Sequence, residues 1–136
     1  MKRLIMACSL LLLLTGCKKA IENAQDDLVI RAMTDGEWVI SSFTVNGTPT
    51  TPDYSLYKFK YYSNRTVDAI KSGTVEKTGT WDGNTSTMII SANFTAATYP
   101  LNQINGSWLI TRNGWTYVEA TQTVGPDVKT LRLDKQ

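Results

Sequence analysis

Most of the chain after residue 33 alternates apolar and polar residues, with turn-forming residues at short, regular intervals. Between Ser55 and Tyr62, for example, Tyr57, Phe59 and Tyr61 fall on one face of an extended strand, and the intervening lysines fall on the other. The same period recurs along the chain and predicts eight strands, at Glu37–Val45, Ser55–Tyr62, Arg65–Lys71, Thr74–Trp81, Thr85–Ala92, Ser107–Arg112, Trp115–Gln122 and Val128–Asp134.

Short turns join these predicted strands. Asn46-Gly47 and Asn113-Gly114 are strong hairpin signals, because asparagine and glycine tolerate the backbone conformations that a tight turn needs. No long helical pattern separates the strands, so we expect an antiparallel sheet that runs up and down. Such a sheet removes its exposed edges most simply by closing on itself. We therefore predict an all-β fold over residues 34–136, a small eight-stranded antiparallel barrel.

The N-terminal residues follow a different pattern. A basic start precedes an apolar run from Leu4 to Leu14, which is too short to cross a bilayer and is typical of a signal peptide. The next residues, Leu-Thr-Gly-Cys at 14–17, resemble the lipobox of bacterial lipoproteins. That resemblance implies removal of residues 1–16 and acylation of Cys17, with residues 17–33 as a lipidated tether or short helix. An ordinary secretory signal that ends near a cysteine is the alternative.

Charge and cysteine content change once this segment is removed. Lys2 and Arg3 are two of the fourteen basic residues, so their loss leaves twelve basic residues to match the twelve acidic ones. A balanced chain without a basic run gives no support to nucleic-acid binding. Cys8 is lost as well, which leaves a single thiol, that of Cys17, and rules out an internal disulfide in the mature chain.

The absence of histidine constrains the chemistry further. Without histidine, Ser-His and Cys-His nucleophile systems and histidine zinc sites are excluded. Asp26-Asp27 is the one adjacent acidic pair, and its amphipathic surroundings favour a solvated helix face over a catalytic dyad. The sequence therefore predicts a protein that is not an enzyme, with no catalytic residues, no cofactor and no metal site.

Three features within residues 34–135 resemble the lipocalin-like domains of bacterial lipoproteins, especially those common in Bacteroidetes. They are a Gly-x-Trp at the first strand (Gly36 and Trp38), a Gly-x-Trp at a middle strand (Gly79 and Trp81), and Arg132 in the last strand. The resemblance implies that the first tryptophan packs at the closed end of the barrel beneath the arginine, as a cation–π pair. The Thr-Asp-Tyr signature of many animal lipocalins is missing, so no animal-type function is expected.

A barrel of this size either holds one small ligand or is filled by its own side chains. Apolar and aromatic residues on several strands are candidates to line a ligand cup: Tyr57, Phe59, Tyr61, Trp108, Ile110 and Tyr117. The leading hypothesis is a membrane-anchored module that binds a small hydrophobic or amphipathic molecule. The alternative is an envelope accessory protein with a filled core, either a subunit of a complex or an inhibitor of a hydrolase. A large apolar cavity favours the first, and an exposed apolar patch favours the second.

The residues after the lipobox bear on location. Lys18 and Lys19 follow the cysteine in place of the aspartate that marks retention in the inner membrane of enteric bacteria. We therefore expect a lipid-anchored protein of the cell envelope, held on the outer membrane where the organism has one. Its expected partners are the membrane, through the N-terminal lipid, and a small hydrophobic ligand.

The predicted acylation of Cys17 can be tested directly. Cys17→Ser should leave an unlipidated precursor that stays in the aqueous phase of a detergent phase-separation experiment, while the wild-type protein enters the detergent phase. Normal partitioning of the variant would show that acylation of Cys17 does not hold the protein on the membrane.

Overall fold

The computed structural model describes residues 27–136, so the predicted signal peptide and Cys17 lie outside the described residues. The described chain begins with a helix at residues 27–34, called α1 here, and continues as strands β1–β9 with two 3₁₀ helices. The strands are β1 Trp38–Val45, β2 Thr48–Pro49, β3 Tyr57–Tyr61, β4 Thr66–Lys71, β5 Thr74–Asn84, β6 Ile89–Asn93, β7 Gly106–Asn113, β8 Tyr117–Val124 and β9 Asp127–Lys135. The 3₁₀ helices span Thr51–Tyr54 and Leu101–Ile104. Across the described range, no helix is long and apolar enough to cross a bilayer.

The sheet is a closed antiparallel barrel. Each strand from β3 to β9 pairs with the next in sequence, and β9 returns to pair with β1 from Trp38↔Lys135 to Val45↔Lys129. A contact between β1 and β3 at Trp38↔Phe59 completes the ring, and β2 is a two-residue extension that pairs only with the end of β1. Eight strands therefore form the barrel and one short helix precedes it, which confirms the predicted fold class.

Some strand boundaries differ from the prediction around residues 81–92. β5 continues to Asn84, and β6 begins only at Ile89. The side chain of Asn84 accepts hydrogen bonds from the backbone N–H groups of Ser86 (2.9 Å) and Thr87 (3.2 Å), and Met88 has a positive φ of 56°. These local bonds compete with strand pairing, so residues 85–88 form a turn although their composition favours a strand.

The barrel interior is filled by apolar side chains, because alternate residues of every strand point inward. In β9, for example, Leu131 and Leu133 are buried while Arg132 between them lies on the outer wall. Trp38 and Phe43 of β1 are fully buried, at 0% exposure. The sequence period thus sets which residues form the core.

Both ends of the barrel are covered. At the first, which we call the helix-capped end, α1 lies beside the turns that join β5 to β6 and β7 to β8, and Met33 of α1 is buried in the core. At the opposite end the two 3₁₀ helices bury Tyr54, Leu101 and Ile104. The Tyr54 hydroxyl donates a hydrogen bond of 3.0 Å to the Pro100 carbonyl, which joins these two segments.

The predicted pairing of Trp38 with Arg132 is wrong. Lys135 lies over the Trp38 ring, with its Nζ 5.1 Å from the ring centroid, and is the direct cross-strand partner of Trp38. Arg132 is three residues earlier in β9, and the alternation of side chains places it outside the barrel, where it cannot reach the buried indole. A cation does cover the tryptophan at the barrel base, but it is a lysine.

Arg132 belongs to a charged network on the outer wall. Its Nη1 donates to Glu119 Oε1 at 2.7 Å, and its Nε donates to Asp134 Oδ2 at 2.9 Å. Its guanidinium also stands 4.7 Å from the centroid of the Tyr117 ring. The hydrogen bonds from Arg132 and Ser41 hold the pKa of the Asp134 carboxyl below its usual range, while the carboxylates raise the pKa of Arg132.

The second Gly-x-Trp motif has a packing role. A Cβ on Gly79 would lie 2.4 Å from the Asn93 carbonyl oxygen and 2.7 Å from the Phe94 ring, so only glycine lets β5 approach this segment. Trp81 is buried at 3% exposure, and its indole N–H donates 2.9 Å to the Tyr62 carbonyl. Arg65 covers the Trp81 ring at 5.2 Å.

Burial of Trp38 predicts a large stability cost on truncation. Trp38→Ala should lower the free energy of unfolding by about 3–5 kcal/mol, because it removes a fully buried indole and its hydrogen bond to Met33. Trp115→Ala is the matched control, since Trp115 is 59% exposed and its loss should cost less than about 0.5 kcal/mol. Urea denaturation followed by circular dichroism measures both; a cost below about 1 kcal/mol for Trp38→Ala would contradict its place at the barrel base.

The Asp134 network predicts an acid-dependent loss of stability. Because the folded state lowers the pKa of Asp134, the carboxylate stabilises the fold above about pH 4, and this contribution disappears as the pH falls through the lowered value. Wild-type protein should therefore lose more stability than Asp134→Asn between about pH 5 and pH 2. Thermal unfolding of both proteins across this range is the measurement, and parallel curves would show that the network contributes nothing.

Candidate functional site

Four of the residues expected to line a ligand cup face the interior, but each of their rings packs against another aromatic ring of the core. Tyr57, Phe59, Tyr61 and Trp108 are between 2% and 5% exposed. The rings of Tyr57 and Phe59 stack with centroids 6.1 Å apart, and Trp108 meets Phe43 edge to face at 5.8 Å. Burial also raises the pKa of the Tyr57 phenol, to about 12, with a hydrogen bond to Glu76 as the second cause. These rings form the hydrophobic core and do not surround an open cup.

The other two candidates lie elsewhere. Tyr117 does not face the interior: β8 turns Val118 and Ala120 inward, so Tyr117 lies on the outer wall under Arg132. Its prediction as a cup residue is therefore wrong, for the same reason of alternation. Ile110 does point inward, and it lines a small enclosed space of about 60 Å³ beneath α1.

A concave apolar groove, which we call the mouth groove, lies at the helix-capped end. Its volume is about 400 Å³. It runs between α1, the β5–β6 turn and the β7–β8 turn, and it adjoins the enclosed space beneath the helix. The residues that line it are Leu28, Val29, Ala32, Thr85, Met88, Asn113, Gly114 and Trp115.

Packing and hydrogen bonds hold α1 against the barrel mouth. Val29 of α1 lies close to Gly83 of β5: a Cβ on Gly83 would be only 3.1 Å from Val29 Cγ1. At the other end of the helix, Lys60 Nζ of β3 donates to the carbonyls of Thr34 (3.1 Å) and Gly36 (3.0 Å). A lysine that binds carbonyls at a helix C-terminus also complements the helix dipole. The buried Trp38 indole donates to Met33 O at 2.9 Å, so the first strand and the helix are joined directly.

Trp115 reaches the groove because the β7–β8 turn differs from its prediction. Asn113 is the last residue of β7 and β8 begins at Tyr117, so residues 114–116 form the turn. The turn is closed by a hydrogen bond of 3.0 Å from Gly114 N to Tyr117 O. Trp115 therefore stands at the tip of a hairpin, 59% exposed, where the sequence pattern had placed it at the start of a strand.

The lining of the groove is mostly apolar and contains no charged residue. Leu28 and Met88 are 45% and 36% exposed although both are apolar, which leaves their carbon surface open to a ligand. Two ion pairs lie on the strands and turns of this end, Arg65–Asp82 at 3.3 Å and Arg112–Glu119 at 3.8 Å. In residues 27–136, no group of three or more acidic, cysteine or histidine side chains is placed to hold a metal ion. The arrangement suits hydrophobic binding and shows no charged centre directed at a substrate.

Sequence reasoning missed part of this site. Leu28 and Val29 were assigned to the tether, and Met88 was assigned to the interior of a predicted strand. The amphipathic pattern of residues 18–33 was the available signal, since an apolar helix stripe must pack against something. It gave no indication of which end of the barrel the helix would cover.

Comparison with known proteins supports the fold. No family model matches this chain, and no curated protein matches its sequence. The structure is similar to the crystal structure of a DUF4847 family protein from Bacteroides vulgatus, with a TM-score of 0.56 and 12% sequence identity. The match covers 79% of this chain and 99% of that chain. Identity this low shows the fold alone, so the chain has a barrel of a kind present in Bacteroides, and the finer resemblance to lipocalin-like lipoproteins stays a prediction.

Proposed function

We propose that this chain is a lipid-anchored protein of the cell envelope, acylated on Cys17, that binds one small hydrophobic or amphipathic molecule in the mouth groove. The observation that carries the binding role is the groove itself. Its volume of about 400 Å³ lies within the roughly 300–1,000 Å³ usual for small-molecule sites. Most of its lining is apolar, and Thr85 and Asn113 supply polar groups that can orient an amphipathic ligand.

The filled interior supports the groove as the binding site. Because the aromatic rings pack against one another inside the barrel, a ligand would have to displace core side chains to enter it. The mouth groove requires no such rearrangement. Trp115 offers an indole face and Met88 a flexible thioether chain, and both adapt readily to apolar ligands of different shape.

The location of the protein follows from the sequence motif. Cleavage before Cys17 and acylation of the new N-terminus would anchor the barrel on a membrane, and the two lysines that follow favour the outer membrane. Acylation would also explain why the mature chain keeps a single cysteine.

A second candidate function has an observation of its own. Ile89 of β6 and Leu109 of β7 are direct cross-strand partners on the outer wall, and they are 38% and 50% exposed. Adjacent exposed apolar side chains on a sheet surface are typical of a protein contact. This pair supports an envelope accessory protein, a complex subunit or a hydrolase inhibitor, that works with a filled barrel.

Leu28→Asp tests the ligand role. A charge in the apolar lining should weaken binding of a fluorescent fatty-acid probe at least about tenfold, because the carboxylate must be desolvated when the groove fills. Leu56→Asp is the matched control, since Leu56 is 58% exposed and lies before β3 at the opposite end. The assay uses the mature chain with Cys17 replaced by Ser, secreted through a signal that is cleaved without lipidation.

Native mass spectrometry of the same protein, purified gently from its host, provides an independent readout. A discrete non-protein mass that is released on denaturation would support the ligand role. A clean apo mass together with no probe uptake would contradict it and would favour the accessory role.

A further inference from the structure

We propose that the helix-capped end docks on the membrane and that the mouth groove takes an acyl chain of a bilayer lipid. The inference rests on the proposed anchor at Cys17 and names the ligand class of the proposed groove. It is drawn from where α1 lies in the fold, which side chains surround the groove, and how the nearby charges are paired.

The anchor point is close to the helix-capped end. Ten residue steps separate Cys17 from Asp27, where the described part of α1 begins. Even a fully extended link of that length spans only about 35 Å. Since α1 covers this end of the barrel, the link keeps the helix-capped end within about 35 Å of the membrane surface. β9 has nine residues, which places the opposite end about 20 Å farther along the barrel axis.

The side chains around the groove suit a membrane interface. Trp115 at the hairpin tip is 59% exposed, and Leu28 and Met88 beside it are 45% and 36% exposed. Ile89 and Leu109 continue this apolar surface down the adjoining wall. Tryptophan is enriched where a protein meets the boundary between water and hydrocarbon, because its ring is apolar and its N–H needs a polar partner.

The charges at this end favour apolar insertion over attraction to anionic lipid. Arg65 pairs with Asp82 at 3.3 Å, and Lys135 pairs with Asp35 at 3.5 Å. Arg112 is 3.8 Å from Glu119. Arg31 and Lys60 at the same end are matched in number by Asp27 and Glu37, so this end carries little net charge to attract an anionic surface. We therefore expect docking on zwitterionic vesicles, with little change when anionic lipid is added.

The tether makes weak docking effective. A short link holds the mouth at an effective concentration on the order of millimolar at the membrane, so a few inserted side chains are enough to orient the barrel. The groove then opens toward hydrocarbon, and an acyl chain can move into it without crossing water. The bilayer is for this reason the source of the ligand.

Quenching of Trp115 by brominated lipid tests the proposal. The lipidated full-length protein is reconstituted into phosphatidylcholine vesicles whose acyl chains carry bromine near the headgroup end or near the methyl end. Trp38, Trp81 and Trp108 are at most 3% exposed, so Trp115 is the indole that reports contact with lipid. We expect its emission to fall, and to fall more with bromine near the headgroup end.

The control variant moves the exposed indole to the opposite end. In Trp115→Phe combined with Leu56→Trp, the new tryptophan occupies a site of nearly equal exposure, 58%, and bromine should leave its emission unchanged. Leu28→Asp should reduce the quenching of Trp115 severalfold in the otherwise unchanged protein, because a carboxylate opposes insertion.

The outcomes separate this inference from the proposed function. Protein that floats with the vesicles but shows no quenching of Trp115 overturns membrane docking and leaves the anchor and the ligand role standing. Equal quenching in the Leu56→Trp control also overturns it, because contact would then not be specific to the helix-capped end. Protein that does not float overturns the anchor and the docking together. Quenching of Trp115 without uptake of the soluble probe supports docking and contradicts the uptake of free ligand from solution.

Discussion

The hydrogen-bonded pairing of β1 with β9 is the constraint on which the rest of the structure depends. It extends from Trp38↔Lys135 to Val45↔Lys129 and joins the first barrel strand to the last. Once it forms, the sheet has no free edge, and each strand has a fixed inner and outer face. The pairing also brings Lys135 over the indole of Trp38 and moves Arg132 to the outer wall. Closure therefore decides both the composition of the core and the partners of the charged residues.

A closed barrel with inward-facing aromatic residues leaves little space inside. Phe43 of β1 meets Trp108 of β7 at 5.8 Å, and Tyr57 and Phe59 of β3 stack at 6.1 Å. The 3₁₀ helices cover the opposite end with Tyr54 and Leu101. The same side chains that stabilise the fold thus occupy the volume in which a ligand would otherwise bind. Concave apolar surface is found instead at the barrel mouth, where α1 and two turns stand apart.

The position of α1 connects the fold to the proposed function. The helix covers the helix-capped end of the core through Met33, lines the groove through Leu28 and Val29, and lies near in sequence to the proposed anchor at Cys17. One short segment therefore closes the core and lines the candidate site, and in the proposed docking it would also orient the barrel relative to the membrane. In that proposed arrangement, the exposed tryptophan at the hairpin tip would meet lipid.

The sequence by itself determined the class of the fold and the face of most strand residues. An alternation of apolar and polar residues is a local property of an extended chain, so it identified eight strands and placed Tyr57, Phe59, Tyr61 and Trp108 on inward faces. Short turns between the strands then implied an antiparallel barrel. The sequence also predicts a lipobox at Cys17, because processing enzymes recognise a linear motif; this prediction lies outside the described residues.

Only the tertiary structure decided the partners across the barrel and the location of the candidate site. Alternation within β9 already places Arg132 on the outer wall, but the placing of Lys135 over Trp38 depends on the register between strands nearly a hundred residues apart, which no local pattern encodes. The position of Trp115 depends on where the β7–β8 turn ends. The hydrogen bond from Gly114 N to Tyr117 O closes this turn before Tyr117, so Trp115 lies in the turn and not in β8. The groove exists because α1 packs over one end of the barrel. This packing requires the closed barrel, in which Gly83 has no side chain and leaves room for Val29 of the helix.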